Sequence, residues 1–338
     1  MEPQVLPLSL DQPAAVQLLV SRLESSSYVV LADHGLPLQL LGTAQELARE
    51  FFAQSLEEKL CVDIRCSRNH RGYVPQSERG GYEDEGNIRR YEAFDVGRDL
   101  NVDHPLVAAN TPLLGPNEWP DIDGFAETTR RTYEQFDYLT RRILAMLCWG
   151  LGLPLRTFAQ YRSEPLSQMR YLNYLERPVG AGAHVAMGAH TDYEFITVIS
   201  EWSEDAATLE VQDRSGGWQP VEIPSGCVVL LAGDLIETVT NGRIRSAYHR
   251  VPDLGSPRLA MPFFAGADYS AVVRPAPEIL GAGPQQREPL AAGPHLLQQL
   301  QRDFPYLRER YAVPDEIDLR DANGWKSEFE LRHGLARA

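Results

Sequence analysis

His190 and Asp192 stand two positions apart in "AHTDYEFITV", just before the apolar, β-branched run from Phe195 to Ile199. Such a run reads as a strand, in which residues i and i+2 share a face. The spacing therefore projects an imidazole and a carboxylate together from the lip of a strand, where they could hold a metal ion. A lone His-x-Asp pair is more often a surface or hydrogen-bonding pair. The metal reading gains weight from "TNGRIRSAYHRVPDLGSPRLAMPFF", Thr240 to Phe264, which supplies His249 and then Arg258 nine residues on. Two imidazoles and one carboxylate on one face of an ion leave the opposite face open. That geometry suits non-haem iron(II), whose remaining positions accept a co-substrate and dioxygen. The set contains no thiolate that an oxidant would consume, and Arg258 offers a carboxylate a bidentate fork. A zinc hydrolase could use the same three ligands, and a non-catalytic barrel could bind a structural metal or a small molecule, but neither requires Arg258.

The elements that must position these groups are legible in outline. "SYVVLAD" (Ser27 to Asp33) reads as a strand, and Gln39 to Leu60 as a helical stretch ending in a charged turn. From Cys66 to Glu92 the chain turns polar and glycine-rich, which predicts a long irregular segment of the kind that forms lids or binding loops. Asp121 to Leu153 is the strongest helix, with Phe125, Phe136, Ile143 and Leu147 on one face and Gly152 and Pro154 as its stop. After Pro154 short strands alternate with turns. Leu209 to Pro224 is a hairpin turning at Ser215-Gly216-Gly217, and Cys227 to Gly233 and Arg258 to Gly266 are further strands. Pro294 to Tyr311 returns to helix. The expected architecture is a mainly β, jelly-roll core with flanking helices in one domain over 1–338. Its parts are a helical region with a few strands (1–153), the core carrying the metal site (154–275) and a C-terminal helical region (276–338).

Composition narrows the function classes. With 32 Lys plus Arg against 47 Asp plus Glu, the net charge is −15, which disfavours nucleic acid and anionic membranes as partners. The longest apolar run, 11 residues from Ala145, is too short to span a bilayer. The start of the chain has no basic, apolar leader, and the four cysteines show no metal-ligand or disulfide pattern. A small-molecule enzyme of the cytoplasm is the expectation; the oligomeric state is open, and a monomer would suffice. Abundant alanine, arginine and leucine with few lysines suggest a GC-rich bacterial genome and a role in specialised metabolism.

The segments "RYLNYLERP" (170–178), "AHTDYEFITVI" and "GDLIETVTNGRIRSAYHRV" (233–251) resemble the isopenicillin N synthase-like iron(II)/2-oxoglutarate-dependent oxygenases. "YVVLADHGLP" and "YEAFDVG" are similar to further stretches of that family, and the likeness runs from about residue 5 to 310. The resemblance implies a double-stranded β-helix, with His190, Asp192 and His249 binding iron. It also implies that Arg258 and the hydroxyl of Tyr174 hold the distal carboxylate of 2-oxoglutarate. The implied activity uses dioxygen to oxidise an unactivated C–H bond, by hydroxylation first, with desaturation or cyclisation as other outcomes. One departure is visible: the family's Arg-x-Ser is Arg258-Leu259-Ala260 here. One neutral hydrogen bond is worth roughly 0.5–1.5 kcal/mol, so the arginine keeps the larger share of the binding. An oxidase of the same fold that uses no oxo acid is the alternative.

Tyr193, Phe264 and His184 are candidate substrate contacts, since one of Tyr193 and Glu194 should face the cavity and Phe264 shares a strand face with Arg258. Asp234 reads as a turn residue or as support behind the metal site, and His34 as a structural hydrogen-bonder. The loop arginines Arg71, Arg79, Arg89 and Arg90 read as solvated.

Overall fold

Alternating side chains on single strands face two different environments, and that alternation builds the molecule. The computed structural model describes residues 5–8, 12–76, 91–176, 185–202, 208–281 and 284–311. Its strands are β1 (Val5–Pro7), β2 (Tyr28–Ala32), β3 (Gly72–Val74), β4 (Tyr91–Gly97), β5 (Gln168–Tyr174) and β6 (Val185–His190). They continue with β7 (Ile196–Trp202), β8 (Leu209–Gln212), β9 (Trp218–Val221), β10 (Val228–Ala232), β11 (His249–Pro252) and β12 (Arg258–Ala265). Eight form a large sheet in the order β1-β2-β10-β7-β12-β5-β4-β3, and four form a smaller one, β6-β11-β8-β9. Apart from the parallel pair β1–β2, the pairings are antiparallel. This is the jelly-roll core expected from the sequence.

The large sheet is covered on both faces. Met169 and Tyr171 of β5, Ile196 and Val198 of β7, and Met261 and Phe263 of β12 belong to the core beneath the long helix Phe125–Leu151. Their neighbours Arg170, Leu172 and Tyr174, Thr197 and Ile199, and Ala260 and Phe264 line a cavity on the other face. The helix forms because its buried residues recur at helical spacing, and it ends at Gly152, whose φ of 70° suits a residue without Cβ. Phe136 stacks on Phe263 at 5.7 Å and Phe125 meets Phe94 edge-on at 5.2 Å. Replacing such a core aromatic by alanine costs about 3–5 kcal/mol.

Three sequence expectations change. The segment expected to be irregular from Cys66 to Glu92 contributes β3 and the start of β4 to the large sheet, although residues 77–90, with Arg79, Arg89 and Arg90, lie outside the described residues. Arg71 is not solvated: it is 3% exposed and donates to the carbonyls of His70 and Leu113, both at 2.8 Å. Gly97 leaves room for that guanidinium where any Cβ would collide with it. The C-terminal helix is two pieces, Ala292–Asp303 and Tyr306–Arg310. Pro305 has no N–H for the carbonyl of Gln301, and Arg308 Nε takes that acceptor at 3.0 Å.

The break lets the chain turn back onto the loop before β3. Tyr306 Oη lies 2.6 Å from His70 Nδ1, Tyr311 Oη donates to Arg68 O at 2.5 Å, and Phe304 meets the His70 ring edge-on at 4.6 Å. This tie holds Leu296, Leu300 and Phe304 against the cavity. Complete burial holds the His70 imidazole well below its usual value of 6.5, with repulsion from Arg71, Arg170 and Arg310 adding to it. The folded chain therefore binds this proton more weakly than the unfolded chain, so stability is lost as the pH falls below 6.5. Between about pH 7.5 and about pH 5.5, the midpoint of thermal unfolding should fall less for His70→Asn than for the unmodified protein. Asparagine tolerates the positive φ of 59° at this position. Parallel slopes would remove His70 as the cause.

Candidate metal centre and cavity

The smaller sheet supplies both imidazoles. His190 is the last residue of β6 and His249 the first of β11; the two are direct cross-strand partners, with ring centroids 4.3 Å apart. Each Nδ1 lies against the carbonyl two residues earlier, His190 to Gly188 at 2.8 Å and His249 to Ala247 at 2.9 Å. Nδ1 must then carry the proton, which leaves each Nε2 as a bare lone pair. Both lone pairs face one oxygen: Asp192 Oδ1 is 3.8 Å from His190 Nε2 and 3.9 Å from His249 Nε2.

Asp192 reaches that place by a route the sequence reading did not anticipate. It does not share a strand with His190. β6 ends at His190, β7 begins at Ile196, and Asp192 lies in the connection that crosses from one sheet to the other. Backbone bonds fix the connection: Gly233 N–H donates to Phe195 O, Asp234 N–H to Asp192 O and Leu235 N–H to Glu194 O, at 2.9–3.0 Å. The chain at Gly233 runs so close to the Glu194 carbonyl that a Cβ there would overlap it. Thr197, the second residue of β7, donates to Asp192 Oδ2 at 2.5 Å and thereby turns Oδ1 toward the imidazoles.

The three donor atoms lie within 4.8 Å of one another, the one such group among the described residues. Two neutral imidazole nitrogens and one carboxylate oxygen, each with its other polar atom already bonded, fit a single divalent cation. The rest of its surroundings would face the cavity. Burial, then the neighbouring His249, pushes the His190 imidazole down to about 4, so it is neutral near pH 7, as a ligand must be.

Arg258 and Tyr174 come together nearby, as cross-strand partners on β12 and β5. The guanidinium carbon sits 4.1 Å from the centre of the Tyr174 ring. Burial raises the Tyr174 hydroxyl well above its usual range, so it stays protonated and can donate. Arg258 Nε is already engaged, by Glu201 Oε1 at 2.8 Å. Sequence reasoning missed Glu201, although its place two residues beyond Ile199 on β7 puts it on the cavity face.

The cavity holds about 120 Å³ of space for the centres of water-sized molecules. Tyr193, Glu194 and Phe264 all line it; His184 lies outside the described residues. The Tyr193 hydroxyl is buried with no hydrogen-bond partner among the described residues. Burial and the nearby Asp192 and Asp234 raise the Glu194 carboxyl well above its usual range. Asp234 accepts from Ser246 Oγ at 2.9 Å and meets His295 Nε2 at 3.2 Å, which couples the metal loop to the C-terminal helix. Arg170 enters the wall with its Nε and Nη2 donating to the two oxygens of Asp95, at 2.5 and 2.7 Å. His34 lies elsewhere, bridging Gly226 O and Leu36 N.

Comparison with known proteins agrees with this geometry. Residues 4–122 match the family described as the N-terminal part of non-haem dioxygenases in morphine synthesis, and residues 164–267 match the 2OG-Fe(II) oxygenase superfamily. The chain belongs to the 2-oxoglutarate-dependent iron(II) oxygenases. It is similar to a 2-oxoglutarate-Fe(II) type oxidoreductase, hxnY, of Emericella nidulans, 29% identical over 81% of this chain and 80% of the relative. A homoarginine-6-hydroxylase of Arabidopsis thaliana is 28% identical over 77% of this chain and 79% of its own. Among solved structures, a 2OG-Fe(II) oxygenase family protein of Caulobacter crescentus superposes with a TM-score of 0.77 at 28% identity, covering 89% of this chain and 98% of that one. The protein is thus an oxidoreductase that uses iron(II) and 2-oxoglutarate with dioxygen. No helix among the described residues is long and apolar enough to cross a membrane.

Thr197→Val should weaken binding of Mn²⁺, a redox-silent probe, by about 10- to 100-fold, because Asp192 loses the bond that orients it. His249→Ala should weaken it further. Calorimetric titration of the folded variants checks both, and an unchanged affinity in His249→Ala would remove the metal assignment.

Proposed function

We propose that the protein is a dioxygenase that hydroxylates an unactivated C–H bond of a small soluble metabolite, in the cytoplasm and in bacterial specialised metabolism. The convergence of His190, Asp192 and His249 on one point of a cavity wall carries this reading. When bound, iron(II) with 2-oxoglutarate supplies the oxidising power, by coupling loss of carbon dioxide from the oxo acid to reduction of dioxygen. The chain's own residues do the rest. The two imidazoles and Asp192 would hold the ion at the cavity wall. Arg258 and Tyr174 supply a cation and a hydroxyl donor toward the oxo acid's far carboxylate. Phe264, Leu296, Leu300 and Phe304 form an apolar wall that excludes water from an apolar substrate body. Tyr193 and Glu194 add a hydroxyl and a carboxyl, so the substrate we infer pairs that body with a hydrogen-bonding head.

Incubation with iron(II), 2-oxoglutarate and dioxygen should release succinate, and addition of substrate should raise its rate. Arg258→Gln should raise the KM for 2-oxoglutarate by roughly 10- to 100-fold, because it removes the cation and leaves the buried Glu201 carboxylate to repel the oxo acid's distal one. Substrate-dependent oxygen uptake with no succinate would assign the site instead to an oxidase whose electrons all come from the substrate.

A further inference from the structure

The arginine that faces the co-substrate already holds a carboxylate of its own chain. Arg258 and Glu201 form a buried ion pair, with side chains 3% and 7% exposed. Strand geometry builds it. Ala260 is the cross-strand partner of Glu201, and Arg258 lies two residues from Ala260 on the same face of β12. Thr208 Oγ1 donates to the second oxygen of Glu201 at 2.8 Å, so both carboxylate oxygens are committed. Tyr174, Glu201, Thr208 and Ala260 line the cavity, and Arg258 touches two of them, Tyr174 and Glu201. The inner end of the cavity therefore presents a neutralised pair where a bare guanidinium would attract an anion.

We propose that Glu201 is a specificity-determining residue that competes with the co-substrate's distal carboxylate for Arg258. It thereby holds 2-oxoglutarate affinity down and leaves the site tolerant of 2-oxo acids with no distal charge. The inference rests on the 2-oxoglutarate reading above. Two carboxylates sharing one guanidinium repel each other across a few ångströms of buried space, where water screens them poorly. A 2-oxo acid ending in a methyl group meets no such repulsion and gains little from the arginine.

Calorimetric titration of the Mn²⁺-loaded protein with 2-oxoglutarate and with 2-oxopentanoate, which has the same chain length but no distal carboxylate, reads this directly. The unmodified protein should prefer 2-oxoglutarate by less than about tenfold. Glu201→Gln keeps an acceptor for Arg258 Nε and removes the charge. It should bind 2-oxoglutarate at least about tenfold tighter, with 2-oxopentanoate unchanged within about twofold. A variant that binds 2-oxoglutarate equally or more weakly would show that Glu201 merely orients the arginine, and would overturn the proposal. A thousandfold preference in the unmodified protein would overturn it without any variant. If Mn²⁺ binds but neither oxo acid does, in either form, the co-substrate reading itself fails, and this one with it.

Discussion

The large sheet must satisfy two surfaces at once, and the rest of the structure follows from that. One face is pressed on the helix Phe125–Leu151 by Met169, Tyr171, Met261 and Phe263; the other forms the wall of the cavity through Arg170, Tyr174, Ala260 and Phe264. Because side chains alternate with a period of two, a slip of one residue would exchange the two sets. Phe263 would leave its stack on Phe136, and the cavity would lose Arg170. The hydrophobic seating of the sheet on the helix is therefore also what positions the polar groups, which are too few to specify register themselves.

The metal centre adds a second device: it sits where the two sheets meet. His190 and His249 come from neighbouring strands of the smaller sheet, so their separation is set by strand spacing. Asp192 arrives on the connection between the sheets and is held by backbone bonds from Gly233 to Leu235 and by Thr197. The His190 and His249 rings and the carboxylate each spend one polar atom on the protein and keep another for an ion. Side chains held in this way would have little rotamer freedom left to lose on binding an ion.

The cavity is economical with charge. Arg170 in its wall and Arg258 beside it are each matched by a buried carboxylate, Asp95 and Glu201. Lone buried charges would be costly, and a matched pair repays much of its desolvation through close geometry. The matching also sets the chemistry on offer. Asp95 removes Arg170 as a free anion receptor, and Glu201 does the same for Nε of Arg258.

The sequence alone determined what can be written as local pattern: the His-x-Asp pair, the distant His249, Arg258, the long amphipathic helix and the hairpin at Ser215–Gly217. Each depends on residue type and short-range periodicity, which the chain carries wherever it folds. Tertiary structure decided which groups meet. The local pattern placed His190 and Asp192 together at the lip of a strand, whereas folding ends β6 at His190 and sets Asp192 in the connection that crosses between the sheets. Arg71 read as a polar loop residue because its acceptors, His70 O and Leu113 O, are backbone atoms with no sequence signature. Glu201 and Thr197 passed unremarked because their partners, Arg258 and Asp192, join them only through strand register and the turn before β7. Periodicity states which way a side chain points along its own strand; only the pairing of strands says what it will find there.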